Sequence, residues 1–294
     1  MADFRGDQAA GLRRLFGCPR VPIVTFAAGS IGVGKSVTVA NLAAALAAQG
    51  REVLVLDENA DDNIAACFGV VAGGDLQEVI DRERSLAEVI VSLAPRISLL
   101  PAVRAVRQLA RLDASQQRIL LDCLSDIGRP ADVVLVDASP DHPLGFSPLG
   151  LAAHETVVVV EPNVAAITEA YALIKKVSLG YSRRHFRLLV NKARASAEAK
   201  AIHDNMAQVA RSRGLARLDY AGCVPIDEHL RHASRLCQPV AGLFPDSPAA
   251  QAYQALATDL LGWPTADDDV GGLEHFMQQL LHLSQHIDPT AIYA

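Results

Sequence analysis

The stretch FAAGSIGVGKSVTVANLAAALAAQG, Phe26 to Gly50, decides the fold. The apolar run VPIVTFA, 21–27, leads into Gly29, and an alanine-rich segment of high helix propensity follows, so the local order is strand, loop, helix. Gly29, Gly34, Lys35 and Ser36 fit the spacing G-x-x-x-x-G-K-[ST]. That spacing has a mechanism: glycines let backbone N–H groups turn towards phosphate oxygens, and the helix N-terminus adds a favourable field. Gly29, Ser30, Gly32, Val33, Gly34, Lys35, Ser36 and Val37 are therefore the candidate nucleotide-binding residues. Lys35 would reach the β- and γ-phosphates of ATP or ADP, and the Ser36 hydroxyl would hold Mg2+.

Outward from this loop the pattern repeats. EVLVLDEN, RISLLPA, ADVVLVDASP, ETVVVVEPN and HFRLLVNKA are further apolar strands, and helical stretches lie between most of them, notably 115–127, 167–178 and 195–213. Strands apolar on both faces and alternating with helices predict an α/β fold, a mostly parallel, doubly wound sheet with helices on both faces. Asp57, Asp137, Glu161 and Asn191 stand at strand C-terminal ends, the rim where open α/β sheets bind ligands. Asp137 closes VVLVD, where it would bind Mg2+ through water. Asp57 would support Ser36 or the metal shell.

A chain of 294 residues, half of them hydrophobic and 20% charged, can bury a substantial core. The formal net charge of −6 argues against a nucleic-acid partner held by bulk electrostatics. Five cysteines, Cys18, Cys67, Cys123, Cys223 and Cys237, form no CxxC pair and read as reduced thiols. With neither an apolar leader core nor a run of ~18 apolar residues, the expected location is cytoplasmic, at most peripheral at a membrane. The nine histidines show no metal-ligand spacing, and the basic stretch from Lys175 to Arg187 reads as a solvated helix end. A composition shift at GWPTADDDVGG divides the chain into an N-terminal segment, 1–20, a nucleotide-binding domain, 21–262, and a linker with a C-terminal amphipathic helix, 263–294.

GSIGVGKS, VLVLDEN, VVLVDASP, LVNKA and GCVPIDEHLRHAS occur in the order seen in the MinD/ParA group of P-loop ATPases, which the chain resembles over most of 21–262. Within that group the N-terminal DQAAGLRRL, Asp7 to Leu15, resembles the DQAxxLR motif of the FlhG (FleN) branch, whose members regulate flagellar number or placement. The resemblance implies an ATP-dependent homodimer and an SRP-type GTPase partner, FlhF-like, engaged through Asp7, Gln8, Leu12 and Arg13. A flagellar transcription activator is a further partner it suggests. It also implies that Asn191 reads the adenine edge and that Pro225 to Asp227 border the base. Read from residues alone, a helix cap after a strand is the minority alternative for Asn191.

The chain departs from the group twice. Where the group's loop carries a lysine that reaches the other subunit's phosphates, this chain has Ser30, followed by Ile31 instead of glycine. Where the group has Asp-x-Asp, this chain reads Asp57, Glu58, Asn59. Asn59 can orient water but cannot act as a carboxylate base. Asp57 and Asn59 are thus the candidate catalytic pair, and losing a cation and a carboxylate should weaken hydrolysis more than binding. Glu58, Asp61 or Asp62 replacing Asn59, or an arginine replacing the lysine, would restore turnover.

Both ends are short amphipathic helices by pattern. Asp7 to Leu15 presents Ala10, Leu12 and Leu15, for a partner or for this same chain. Gly271 to Ile287 sets Leu273, Phe276, Met277, Leu280, Leu281 and Ser284 on one stripe. Its polar face carries Glu, Gln and His in place of Lys or Arg, so docking on the body or on a partner is favoured over weak, regulated membrane contact. The rival functions are an active membrane-cycling ATPase, a nucleotide-independent regulatory protein and a DNA-partition ATPase.

Overall fold

The computed structural model describes residues 21–60, 63–125, 131–140, 146–153, 155–263, 276 and 279–282. Its centre is one sheet of eight strands in the order β3-β4-β2-β5-β1-β6-β7-β8. They are β1 (Ile23–Ala27), β2 (Val53–Asp57), β3 (Val91–Ala94), β4 (Ile97–Pro101), β5 (Val133–Asp137), β6 (Glu155–Val160), β7 (His185–Ala193) and β8 (Arg217–Pro225). All pairings are parallel except β3 with β4, an antiparallel edge.

The sequence fits a two-faced sheet because side chains alternate between faces and both faces are covered. Val53 and Val55 of β2, with Val133 and Leu135 of β5, join a core under the helices Lys35–Ala48, Ser196–Ser212 and Pro248–Leu261. Leu54, Leu56, Val134 and Val136 point the other way, into a core under Leu76–Ile80, Val103–Gln108 and Pro148–Ala152. Every residue of β1, β2, β5 and β6 is buried. Each large apolar side chain so covered contributes roughly 1.5–3 kcal/mol, which makes the central strands the stable part of the molecule.

The three expected helices occupy Ala114–Ser125, Val164–Tyr181 and Ser196–Ser212. Asn163 sets the start of the second by accepting from Ala166 N–H at 2.8 Å. The third stops at Gly214, whose φ of 61° suits glycine, with Leu215 N–H returning to the Ala210 carbonyl at 3.0 Å.

Six strands were expected and eight form. β3 is four residues long and only partly buried, so it lacks the apolar run that marks a central strand. β8 reads RLDYAGCVP, with polar residues and Gly222 at a register shift against β7. Edge strands with one open face need no continuous hydrophobicity.

Two arginines of the basic stretch are tied into the fold. Arg183 donates to the Leu151 and Ala153 carbonyls, Arg187 pairs with Glu155 at 3.0 Å, and the same guanidinium lies 4.1 Å from the centre of the Trp263 ring. Lys175 and Lys176 are exposed, as a solvated helix end should be. The Trp263 contact carries the body's packing one residue past the expected boundary at 262. Among the described residues, no helix is long and apolar enough to cross a membrane.

Candidate functional site

β1, β2 and β5 lie side by side, with Phe26 and Asp57 both in register with Asp137, so three strand ends deliver their side chains to one point on the rim. The loop after β1 wraps this point. Gly34 has φ of 86°, and a Cβ there would stand 2.4 Å from Asn191 Nδ2; at Gly29 it would stand 2.3 Å from the Glu169 backbone carbon. Neither position accommodates a side chain. The helix Lys35–Ala48 begins at Gly34 without a side-chain cap, leaving its first N–H groups open towards an anion.

Below the loop lies a buried charged cluster. The Lys35 ammonium donates to Asp137 Oδ1, with both side chains almost wholly buried. Asn59 Nδ2 donates to Asp57 Oδ1 at 2.9 Å, Asp137 Oδ2 at 2.9 Å and the Asp137 carbonyl at 3.0 Å. Asp57 also accepts from Asn59 N–H at 2.9 Å and from Ile64 N–H at 2.7 Å. Burial first, and the neighbouring Asp137 charge second, push the Asp57 carboxyl up to about 6. Asn59 is thus an amide bridge between two aspartates, and its donors are spent on them.

Glu58 stands beside this cluster, 3% exposed. Its Oε2 accepts from Ser139 N–H at 2.9 Å, and its Oε1 accepts from the Ser147 hydroxyl. Burial pushes its carboxyl up to about 7. With both oxygens engaged and turned inward, Glu58 is not free to take over as the base at Asn59. Asp61 and Asp62 lie outside the described residues.

The donor set fits a nucleotide triphosphate with Mg2+. Lys35 supplies a buried cation whose present partner, Asp137, is the acid expected to face the metal, and Ser36 is partly exposed at the helix start with no hydrogen bond of its own. Asp57 makes no bond to Ser36; its contacts run to Asn59 and Ile64. Among the described residues no group of three or more His, Cys, Asp or Glu side chains forms a ready-made metal site, so Mg2+ would depend on phosphate oxygens.

Asn191 Nδ2 donates to the Val33 carbonyl at 2.8 Å, and its Oδ1 accepts from Lys192 N–H at 2.9 Å. The amide therefore holds the loop from behind, with one N–H and one lone pair left for a base. Pro225 ends β8 beside Ala193, and Ile226 N–H donates to the Ala193 carbonyl at 3.0 Å. Asp227 caps the helix Glu228–Arg235 through His229 N–H at 2.8 Å and accepts from Ala249 N–H at 2.9 Å, so it shapes that border as a structural tie. Ser30 and Ile31 place no charge on the loop, and Ile31 is 77% exposed.

Sequence reasoning missed two residues here. Lys192 reaches the loop from β7, donating to the Gly32 carbonyl at 2.7 Å and to Glu161 Oε2 at 2.7 Å. Its adjacency to Asn191 was the available signal. Glu58 was considered only as a base, because nothing in VLVLDEN tells which way it points.

At the far end of the chain, Phe276, Leu280 and Leu281 are buried in the second core. Leu280 enters an apolar pocket formed by Leu56, Leu76, Leu100, Val106, Leu109 and Leu149. These described residues of the amphipathic stripe dock on the body. Asp7, Gln8, Leu12 and Arg13 lie outside the described residues, as do Leu273, Met277, Ser284 and Ile287.

Comparison with known proteins agrees with this geometry. A family model described as an AAA domain matches residues 21–188. The antiactivator FleN of Pseudomonas aeruginosa is 31% identical over 264 residues, covering 89% of this chain and 94% of that protein. The flagellum site-determining protein YlxH of Helicobacter pylori is 25% identical over 266 residues, covering 88% and 89%. Among solved structures, the MinD cell division protein of Aquifex aeolicus superposes with a TM-score of 0.64 at 21% identity, covering 84% of this chain and 99% of that one. MinD of Pyrococcus horikoshii, complexed with Mg-ADP, gives 0.58 at 20% identity, covering 86% and 98%. The chain belongs to the MinD/ParA family of P-loop proteins, in its FleN-like branch.

Proposed function

We propose that this chain is an ATP- and Mg2+-binding regulator of flagellar number or placement, acting as a nucleotide-dependent adaptor on an SRP-type GTPase with slow or no hydrolysis of its own. The observation that carries the slow turnover is Asn59. Its amide is committed to Asp57 and Asp137, and no free carboxylate stands beside it among the described residues. Binding keeps its own requirements: the glycine loop, Lys35, Ser36 and the open helix N-terminus.

The switch works through differential affinity. Lys35 neutralises Asp137; phosphates would draw the ammonium away and leave Asp137 to Mg2+. ATP would thereby favour a second copy on the same rim, and the N-terminal residues Asp7, Gln8, Leu12 and Arg13 would engage the GTPase. The antiactivator relative supports a transcription activator as a second partner. Contact with a membrane would require Phe276, Leu280 and Leu281 to leave their seat, so it would be regulated and weak. The net charge of −6 opposes bulk nucleic-acid binding.

Calorimetric titration with ATP and Mg2+, alongside Lys35→Ala and followed by phosphate release from the same sample, tests the core reading. Binding lost in Lys35→Ala without measurable turnover is the expected result. One observation favours the rival, an active membrane-cycling ATPase: Lys192 brings an ammonium to the loop. Clear phosphate release would establish that rival, and absence of binding would leave a nucleotide-independent regulator. For the partner, a peptide spanning Asp7 to Leu15 should raise the GTPase rate of an FlhF-like protein, and an Arg13→Ala peptide should not.

A further inference from the structure

The loop carries a single lysine, and that one is already paired. Lys35 is buried on Asp137, while Ser30 and Ile31 supply no charge. The second ammonium at the loop arrives from β7. Lys192 Nζ sits 2.7 Å from the Gly32 carbonyl and 2.7 Å from Glu161 Oε2. Glu161 is in turn held by Asn163, whose Nδ2 donates to its Oε1.

The backbone shows that this placement is imposed. Lys192 has φ of 55°, a left-handed conformation unfavourable for a non-glycine residue. The β7–β8 register shifts between Val190 and Ala193, so Asn191 and Lys192 leave the ladder and turn over the loop. Asn191 secures the turn from both sides, through the Val33 carbonyl and the Lys192 N–H. A strained lysine locked onto a loop carbonyl is costly as a surface ornament. The Lys192 side chain also stays about half exposed, so its ammonium lies at the open rim and can move towards a ligand.

We propose that Lys192 is a nucleotide-binding residue of this chain, the second cation of its phosphate loop, supplied within the same subunit and held in reserve by Glu161. The inference rests on the nucleotide reading above and adds to it where the charge comes from. On binding, the polyphosphate competes with Glu161 for the ammonium. The Gly32 carbonyl holds the ammonium itself at the loop, so the charge acts at short range on the phosphates in a partly desolvated rim.

Two consequences separate a charge role from a clamp that merely shapes the loop. A charge effect grows with the number of phosphates, whereas a loop distortion weakens all nucleotides alike. Removing the competing carboxylate at Glu161 should tighten binding, whereas loss of a structural tie should weaken it.

The test is fluorescence titration of the full chain with labelled ATP, ADP and AMP in Mg2+, for the wild type, Lys192→Met, Lys192→Arg and Glu161→Gln. Lys192→Met keeps the apolar stem. We expect it to raise the ATP Kd about tenfold and the ADP Kd about threefold, with AMP unchanged. Lys192→Arg should recover most of the ATP affinity, and Glu161→Gln should lower the ATP Kd about threefold. Equal losses for all three nucleotides, or wild-type ATP affinity in Lys192→Met, would overturn the assignment. If Lys192→Met fails to fold, Glu161→Gln decides alone, since weakened or unchanged binding there is equally fatal. A wild type that binds no nucleotide would instead defeat the underlying nucleotide reading, and this inference with it.

Discussion

Replacing Glu58 by glutamine should make the nucleotide-free protein less sensitive to pH, with a size that follows from burial. The Glu58 carboxyl moves from 4.5 to about 7 on folding, mainly because ionising it inside the core forfeits hydration. At ~1.4 kcal/mol per pKa unit, the ionised form costs the folded state roughly 3 kcal/mol. The sign is opposite to that of a salt-bridged acid: the native state holds a proton that the unfolded state releases. The cost is therefore absent below about pH 4.5, grows as pH rises, and is complete above about pH 7. Glutamine reproduces the protonated pattern, its oxygen accepting from Ser139 N–H and its amide donating to the Ser147 oxygen. Urea unfolding of wild type and Glu58→Gln at pH 5, 6, 7 and 8 in EDTA should give curves within ~1 kcal/mol of each other at pH 5. They should separate by roughly 2–3 kcal/mol at pH 8, with the variant more stable. Asp57, pushed up to about 6, tilts both curves equally and cancels in the difference. Parallel curves would refute the buried-carboxylate reasoning.

Three more outcomes follow from the same geometry. Lys35→Met leaves Asp137 buried without its cation and should cost roughly 3 kcal/mol in the nucleotide-free protein; with Asp137→Asn as the other single variant, the double variant Lys35→Met/Asp137→Asn should recover much of it in a double-mutant cycle, and strict additivity would deny the pair. Gly34→Ala meets both a φ of 86° and the Asn191 amide at 2.4 Å, so ATP affinity should fall at least ~tenfold by calorimetry. Leu280→Asp puts a charge into the Leu56–Leu149 pocket; amide exchange across 279–282 should accelerate while the β1 and β5 amides keep their protection, and unchanged exchange would contradict docking of the segment.

Much of the site was legible from the chain because its chemistry is local. A strand, a glycine turn and a helix start are set by a dozen neighbouring residues, so the turn from Gly29 to Ser36 was legible as a strand–loop–helix unit. Asp57 and Asp137 followed because strand ends in a doubly wound sheet converge on one rim. Periodicity also placed the three long helices to within a few residues. Edge strands escaped, since β8 carries Asp219, Tyr220 and Gly222 where a central strand would be apolar throughout.

What the sequence by itself determined is the phosphate loop, the sheet class and the two departures at Ser30 and Asn59. Tertiary structure alone decided what surrounds them. Asn59 became a bridge because β2 and β5 bring Asp57 and Asp137 within reach of one amide. Glu58 turned inward onto Ser139 and Ser147, 81 and 89 residues away along the chain. Lys192 reached a loop 160 residues distant because β7 ends beside it. The stripe through Phe276 and Leu280 is apolar on any reading, but only the groove beside Leu56 and Leu149 shows what covers it. Hydrogen bonds and burial act over a few ångströms of space, and sequence patterns record only neighbours along the chain.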